Sequence, residues 1–488
     1  VGSIDETKIK PETEPKQSLY AEHVKIYPKS AHGTFRKLKW SILGVLLGIY
    51  YLGPFIRWDR GPTAPDQAIL LDMAGRRGYF FWIEIWPQEI YYLTGILILG
   101  AVGLFLATAL AGRVWCGFTC PQTVWTDLFL KVEEWFEGDR NKRMMRDRGP
   151  WTVEKFVRKF FKHIVWLIVS VLTGGVWVLY FTDATTAVPR ILTGEASGGL
   201  YSMLALFTAT TYVLAGWARE QVCIYMCPWP RFQGAMFDED SLIVTYEEWR
   251  GEPRGKAKRD ADFSERGHCV DCTMCVQVCP TGVDIREGQQ MACIGCGLCI
   301  DACNTIMEKY GLPGDLITYD SINNQVARAG KRPTKLRLVR PRTIVYGLTF
   351  AIISGIMIWS LSTRDRLEVN IQRDRAPMFV RMSDGSFRNG YTFKLLNMES
   401  GDKRYVLTLG GLSGATMRVI GVTAEEVSEV DLKVGADKVG TFKIYVRANP
   451  EVLKAASNPL DFIVRDKDTG EMITQPQVFH GPRRNALQ

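Results

Sequence analysis

At 488 residues the chain is too long for one compact domain and calls for roughly two to four units. Its bulk composition, 47% hydrophobic and 23% charged, resembles that of a soluble protein, but the charges are strongly segregated. The net charge of +8 comes from Lys and Arg beside apolar stretches; no basic patch stands outside that context, which excludes a nucleic-acid role.

Residues 1–30 are polar and lack the apolar core of a cleavable signal peptide, so 1–35 are expected to form a disordered arm. Five stretches then carry no Asp, Glu, Lys or Arg: Trp40–Ile56, Ile90–Gly112, His163–Thr182, Ala196–Ala218 and Thr343–Thr363. A helix needs about 20 such residues to cross the hydrocarbon core, whereas charge-free runs in buried soluble helices rarely exceed about 14. Five membrane spans are therefore expected, the first serving as the targeting signal.

Orientation follows from the flanking charge. Arg36, Lys37 and Lys39 precede the first span, eleven Lys and Arg lie between Arg113 and Lys162, and Lys331–Arg342 is basic again. The connection Asp183–Glu195 has only Arg190. The positive-inside rule places the N-terminus and both basic connections in the cytoplasm and the C-terminal tail outside, with Arg364 and Arg366 opposing this weakly. Between the first two spans, Arg57–Glu89 is rich in aromatic residues and is expected at the outer interface.

Two membrane hairpins each end in Cys-x-x-x-Cys-Pro: Cys116, Cys120, Pro121 and Cys223, Cys227, Pro228. After Pro121 the apolar residues Val124, Trp125, Leu128, Phe129, Val132, Trp135 and Phe136 recur at helical spacing. They predict an amphipathic helix on the inner membrane surface, with Asp139–Arg148 facing the headgroups; the plainer alternative is a helix packed on protein. His163 is read as a polar residue snorkelling to the interface, and His268 as supporting the next cysteine run or facing solvent. A bis-histidine haem is disfavoured because only His163 of the five histidines lies in a span.

The expected organisation is a four-helix membrane region at 36–218, a ferredoxin-type domain at 219–341, a fifth transmembrane helix at 342–363 and an outer domain at 364–488. The tail reads as short strands: Leu367–Gln372, Met378–Met382, Tyr391–Met398, Arg404–Leu409, Met417–Gly421, Gly440–Val446, Asp461–Arg465 and Met472–Val478. Turn signals such as Asp384-Gly385, Asn389-Gly390 and Asn449-Pro450 separate them. Such a series predicts a β-sandwich of immunoglobulin type without the antibody disulfide. The fold class is thus multidomain: a five-span α-helical membrane bundle, an inserted 2[4Fe–4S] ferredoxin-like domain, and a C-terminal all-β immunoglobulin-like sandwich.

Eight of the twelve cysteines form two runs, Cys269, Cys272, Cys275, Cys279 and Cys293, Cys296, Cys299, Cys303. Both have the C-x2-C-x2-C-x3-C spacing of bacterial two-cluster ferredoxins, in which the fourth cysteine of each run serves the other cluster. Cys269, Cys272, Cys275 and Cys303 are therefore assigned to one [4Fe–4S] cluster, and Cys293, Cys296, Cys299 and Cys279 to the other. Gly295 and Gly297 let backbone N–H groups approach the sulfurs. Zinc is the alternative, but its sites use two separated pairs rather than uninterrupted runs. Asn304 stands where the second run would carry proline. The four remaining cysteines, Cys116, Cys120, Cys223 and Cys227, present soft thiols suited to Cu(I) or redox chemistry; equally, they could be small residues packed at helix ends. No cysteine lies in 364–488, as reduced thiols inside and no disulfide outside would require.

Taken with these motifs, Gly53-Pro54-Phe55-Ile56-Arg57-Trp58, Gly112–Trp125, Tyr225–Arg231 and Arg250–Gly255 resemble the cbb3-type cytochrome c oxidase accessory proteins called CcoG, FixG or RdxA, over nearly the whole chain. The resemblance implies a cupric reductase of the bacterial cytoplasmic membrane, with a periplasmic tail, that supplies Cu(I) for oxidase assembly. A cytosolic donor would reduce the two clusters, and Cu(II) would be reduced at Cys116, Cys120, Cys223 and Cys227, the implied catalytic site. The implied partners are membrane lipid, copper ions as substrate, the electron donor and oxidase assembly factors; a homo-oligomer is compatible with the sequence. Two other classes stay open: a quinol-linked membrane relay, which quinol-dependent cluster reduction would favour, and a non-catalytic iron–sulfur scaffold, which irreducible clusters would favour.

Overall fold

The apolar runs fold as long helices. The computed structural model describes residues 25–61, 64–258, 261–364, 367–398, 401–436 and 438–482. Helices are α1 (Thr34–Leu52), α2 (Tyr91–Ala111), α3 (Pro121–Glu137), α4 (Arg140–Arg148), α5 (Val153–Leu179), α6 (Ala184–Thr193), α7 (Gly198–Thr211), α8 (Trp229–Met236), α9 (Glu248–Gly251), α10 (Met274–Gln277), α11 (Leu298–Lys309), α12 (Ile322–Ala329) and α13 (Pro341–Ser362). Five helical stretches are long and apolar enough to cross a membrane: Thr34–Phe55, Pro87–Ala111, Val153–Leu179, Gly198–Ala218 and Pro341–Ser362. The first and third begin well before their charge-free runs, because Arg36, Lys39, Lys159 and Lys162 remain helical and pair with carboxylates of neighbouring elements.

The chain divides into two compact units. One comprises Val1–Gly53, Leu93–Leu179 and Pro189–Ile352; the other Pro54–Tyr92, Tyr180–Val188 and Ile353–Gln488.

In the first unit, α3 packs against α5, burying Val124, Phe129 and Val132 near Trp166 and Ala215. Of the stripe read as membrane-facing, only Trp135 is exposed, so protein covers most of that face. Nor does the whole of Asp139–Arg148 face outward: Asp139 caps α4, and Arg143 is buried against Glu133 at 2.9 Å. Glu133 also pairs with Arg219 at 3.0 Å and Lys162 at 3.4 Å. Burial alone would raise its pKa, but these cations hold it at about 2. His163 does not snorkel: its Nδ1 lies 2.8 Å from the Tyr212 hydroxyl, and its ring packs edge-on to Trp166.

Of the arm read as disordered, residues 1–24 lie outside the described residues, while residues 25–33 are held in place. The Tyr27 hydroxyl and Lys25 both donate to Asp147, Ser30 N–H donates to Asp139, Lys29 N–H to the Gln277 carbonyl, and Ala31 is buried. Strands β4 (Ile243–Tyr246) and β5 (Ile317–Asp320) form an antiparallel ladder beside the cysteine runs.

In the second unit, β1 (Ile69–Asp72), β2 (Arg77–Phe80) and β3 (Ile83–Ile85) make a small meander that the aromatic content of Arg57–Glu89 did not announce. The tail contains β6 (Leu367–Arg373), β7 (Val380–Arg381), β8 (Phe387–Asn397), β9 (Lys403–Gly410), β10 (Thr416–Val419), β11 (Glu429–Val434), β12 (Lys438–Ala448), β13 (Ser457–Asp466) and β14 (Met472–His480). Its two antiparallel sheets are ordered β10-β12-β8-β6, with β7 on β8, and β11-β9-β13-β14. They enclose a core that includes Tyr391, Phe393, Leu407 and Phe462, all fully buried, as in an immunoglobulin-like sandwich. Asn389-Gly390, read as a turn, lies inside β8 and pairs with Val446 and Tyr445. Strand β11 was missed, although Val430, Leu432 and Val434 alternate inward along it.

Candidate metal centres

The two cysteine runs adopt the same local shape. Asp271 and Thr273 in the first, and Gly295 and Gly297 in the second, occupy corresponding positions and all have positive φ, between 50° and 72°. These left-handed residues turn each run tightly, and α10 or α11 starts immediately afterwards. The turn places the first three cysteines of each run around one point. Cys299 and Cys303, four apart, lie on the same face of α11 and look towards different cavities.

One small cavity is lined by Cys269, Cys272, Cys275 and Cys303, with Tyr246, Met307 and Ile317 among its walls. The second is lined by Cys279, Cys293, Cys296 and Cys299, with Val244, Val283 and Ile285. Cys275 borders both. The fold thus brings the last cysteine of each run to the other run's cavity, the crossing that the spacing predicts.

The donor chemistry fits iron–sulfur clusters. Burial pushes the Cys275, Cys296 and Cys303 thiols up to about 12 and Cys299 well above its ordinary value. Bare thiolates are therefore costly in these apolar walls and become favourable once each sulfur is bonded to a metal cation. Backbone N–H groups also point at sulfur: Val283 N–H donates to Cys279 Sγ at 3.3 Å, and Gly295 and Leu298 N–H groups support Cys293 and Cys296. Each cavity thus supplies the four thiols of its set, with Cys275 also bordering the second, and donors that stabilise sulfur charge, as a [4Fe–4S] cluster needs. Arg286 braces the first loop, bonding Asp271 and Asp284 at 2.6 Å each. Sequence reading missed this brace, since an Arg two residues from an Asp carries no motif signal. His268 is half-buried just before Cys269; its N–H donates to the Arg250 carbonyl, while its Nδ1 finds no hydrogen-bond partner.

The other four cysteines come together in the same unit. Trp115–Thr119 and Val222–Met226 are single π-helical turns, closed by Cys120 N–H to the Trp115 carbonyl (2.9 Å) and Cys227 N–H to the Val222 carbonyl (2.8 Å). Cys116 and Cys223 both pack against the apolar cluster containing Ile294, Cys296 and Leu298. Burial raises Cys116 to about 11 and Cys223 to about 12, with charge from the other membrane-edge thiols adding to both. Gly117 lies so close to the second run that a Cβ there would sit 2.8 Å from the Gly295 oxygen and 2.9 Å from Cys296 Cα. Arg113 fills the gap: buried, it donates to the carbonyls of Met291, Cys293 (2.7 Å) and Pro230 (3.1 Å). Neither Arg113 nor Gly117 was singled out for this contact, although both stand inside the quoted Gly112–Trp125 motif.

Residues 218–322 match a family described as a 4Fe-4S dicluster domain, 93–143 a 4Fe-4S binding domain, and 357–482 an IG-like fold at the C-terminal of FixG. The chain is 45% identical to nitrogen fixation protein FixG of Rhizobium meliloti, covering 95% of this chain and 94% of that protein. It is 46% identical to protein RdxA of Cereibacter sphaeroides (96% and 99% covered) and 45% identical to protein RdxB of the same organism (95% and 98%). Apolar helices, cysteine-lined cavities and these matches define a membrane iron–sulfur electron-transfer protein of oxidoreductase type. More narrowly, the chain belongs to the FixG/RdxA family.

Proposed function

We propose that the protein reduces Cu(II) to Cu(I) in the bacterial cytoplasmic membrane and supplies the Cu(I) for assembly of a cbb3-type cytochrome c oxidase. The observation that carries this reading is the packing of Cys116 and Cys223 against the Cys296 loop, which puts a thiol-rich exit beside a cluster cavity. In this reading Cys269, Cys272, Cys275 and Cys303 hold one [4Fe–4S] cluster, and Cys279, Cys293, Cys296 and Cys299 the other; bound there, the clusters supply one-electron chemistry. The apolar walls exclude water from the sulfurs, and Arg113 sets positive charge between Cys293 and Cys116. Cys116, Cys120, Cys223 and Cys227 mark where the electron leaves for Cu(II), since soft thiol surroundings favour Cu(I) over Cu(II). The charge asymmetry supports a cytoplasmic cluster unit facing a cytosolic one-electron donor, and a periplasmic sandwich that docks oxidase assembly factors.

The test uses holoprotein purified without air, reduced with dithionite and desalted before Cu(II) is added. About one Cu(I), trapped by a chromogenic chelator, is expected per electron stored, and Cys116→Ser/Cys223→Ser should slow its formation. A reduced protein that keeps its electrons in the presence of Cu(II) overturns the reading.

A further inference from the structure

A guanidinium stands beside each of the two cysteine-lined cavities, and the two are neutralised differently. Arg286 lines the first cavity, formed by Cys269, Cys272, Cys275 and Cys303. It bonds Asp271 and Asp284 at 2.6 Å each, so that side sets two carboxylates against one cation. Arg113 lies against the loop of the second run, where a Cβ on Gly295 would sit 3.2 Å from its own Cβ, and it is 5% exposed. It donates to the carbonyls of Met291, Cys293 (2.7 Å) and Pro230 (3.1 Å), and among the described residues no carboxylate pairs with it.

We infer that Arg113 holds the potential of the second cluster, on Cys279, Cys293, Cys296 and Cys299, above that of the first, so that an electron comes to rest beside the hairpin ends. This order of potentials rests on the assignment of the eight cysteines to two clusters. It does not depend on what finally accepts the electron.

Reduction adds one electron to a cluster, with no bond made or broken and no proton taken up. A nearby cation stabilises the added charge and raises the potential, and an anion lowers it. The effect grows where burial keeps water from screening the charge. Arginine stays protonated in proteins, so the charge of Arg113 is permanent. It is also bound to the backbone carbonyl of Cys293, a ligand of the second set.

The other charges near the two sets do not reverse this order. Arg250, whose charge acts on Cys303, pairs with Glu247 at 3.1 Å. Arg254, whose charge reaches Asp284, faces Glu252 at 3.8 Å. Asp301 stands between Cys299 and Cys303 on α11, two residues from a ligand of each set, so it does not separate them. Its carboxylate accepts the N–H groups of Phe35 (3.2 Å) and Arg36 (2.8 Å) at the start of α1. Lys39 is 2% exposed, shares Asp127 with Arg36, and adds positive charge that acts on Cys296 of the second set.

The surroundings give the order a direction. Among the described residues Cys272, of the first set, is the one exposed cysteine, so the first cavity is the one within reach of a soluble donor. The second set is the one that meets the hairpin ends, where Cys116 and Cys223 pack against the apolar cluster containing Cys296. A lower potential at the exposed cavity and a higher one at the hairpins makes transfer between them downhill.

The experiment is a redox titration of the full chain, purified in detergent without air, reconstituted to about eight irons and followed by electron paramagnetic resonance. Wild-type protein should show two separated midpoint potentials. Arg113→Gln should lower the higher one, shifting that cluster's reduction at least tenfold towards the oxidised form (about 59 mV for a one-electron couple), and leave the lower one nearly in place. Arg113→Lys keeps the charge without the fork of donors and should retain most of the wild-type value. Asp284→Asn removes an anion from the other side and should raise the lower potential. Equal potentials in the wild type overturn the inference. So does Arg113→Gln that holds about eight irons and moves the lower potential or neither. Arg113→Lys falling as far as Arg113→Gln also overturns it, because loop geometry and not charge would then set the value. If Arg113→Gln cannot hold its iron, Asp284→Asn decides, and a lower potential that does not rise refutes the order. Wild-type protein that cannot be brought to about eight irons removes the cluster assignment and the order with it.

Discussion

Gly117→Ala tests the contact on which the proposed electron exit depends. Gly117 is not among the residues with positive φ, so alanine fits its backbone and only the space is at issue. The added Cβ would meet the Gly295 oxygen at 2.8 Å, Cys296 Cα at 2.9 Å and Cys296 N at 3.0 Å. Ordinary carbon contacts lie at about 3.5–4.0 Å, so the Cys293–Cys299 loop must retreat by roughly 0.5–1 Å. All three obstructing atoms are backbone and cannot rotate away. Overpacking of this kind costs about 1–3 kcal/mol, a fall in Tm of roughly 2–5 °C for a unit of this size. Because the displaced loop carries sulfur ligands and their N–H donors, the midpoint potential of the adjacent cluster should move as well. The assay compares Gly117→Ala with Gly48→Ala, since a Cβ at Gly48, on α1 of the same unit, would meet nothing within 4 Å. Gly48→Ala should be neutral or slightly stabilising. If the two variants match in Tm, iron content and potential, the close approach of the hairpin end to the cluster loop is wrong.

Glu133→Gln should destabilise the protein by about 3 kcal/mol at pH 7, leaving Arg143, Lys162 and Arg219 without their shared carboxylate. Because the folded pKa is depressed, this stabilisation is complete above about pH 4.5 and is lost as pH falls towards 2; the gap in Tm between variant and wild type should close over that window. Cys275→Ser, at the border of both cavities, should lower iron by about four per chain and alter the spectrum of the neighbouring cluster; unchanged iron would remove Cys275 from the ligand set. For topology, alkaline phosphatase fused after Gln488 should be active outside the cytoplasm and one inserted within Arg250–Lys258 silent, the opposite pattern reversing the orientation.

What the sequence made legible was what short-range spacing encodes. Charge-free runs marked the spans, and C-x2-C-x2-C-x3-C marked the loops, because a tight turn and three converging thiols need only seven consecutive residues. Alternation would have revealed β11 as well, since Glu429-Val430-Asp431-Leu432-Lys433-Val434 is a strict outward–inward pattern. Asn389-Gly390 misled for a physical reason: turn propensity is local, and pairing along the whole of β12 outweighs it. The N-terminal segment misled for a related one. Its polarity suggested disorder, yet Lys25, Tyr27 and Ser30 find acidic partners more than a hundred residues away, at Asp139 and Asp147. The membrane-edge site was the least legible, because its four cysteines come from hairpins a hundred residues apart. Either pair alone reads as two small residues at a helix end. Arg113 was equally illegible: its buried guanidinium is held by the carbonyls of Met291, Cys293 and Pro230, partners that only the fold brings to it.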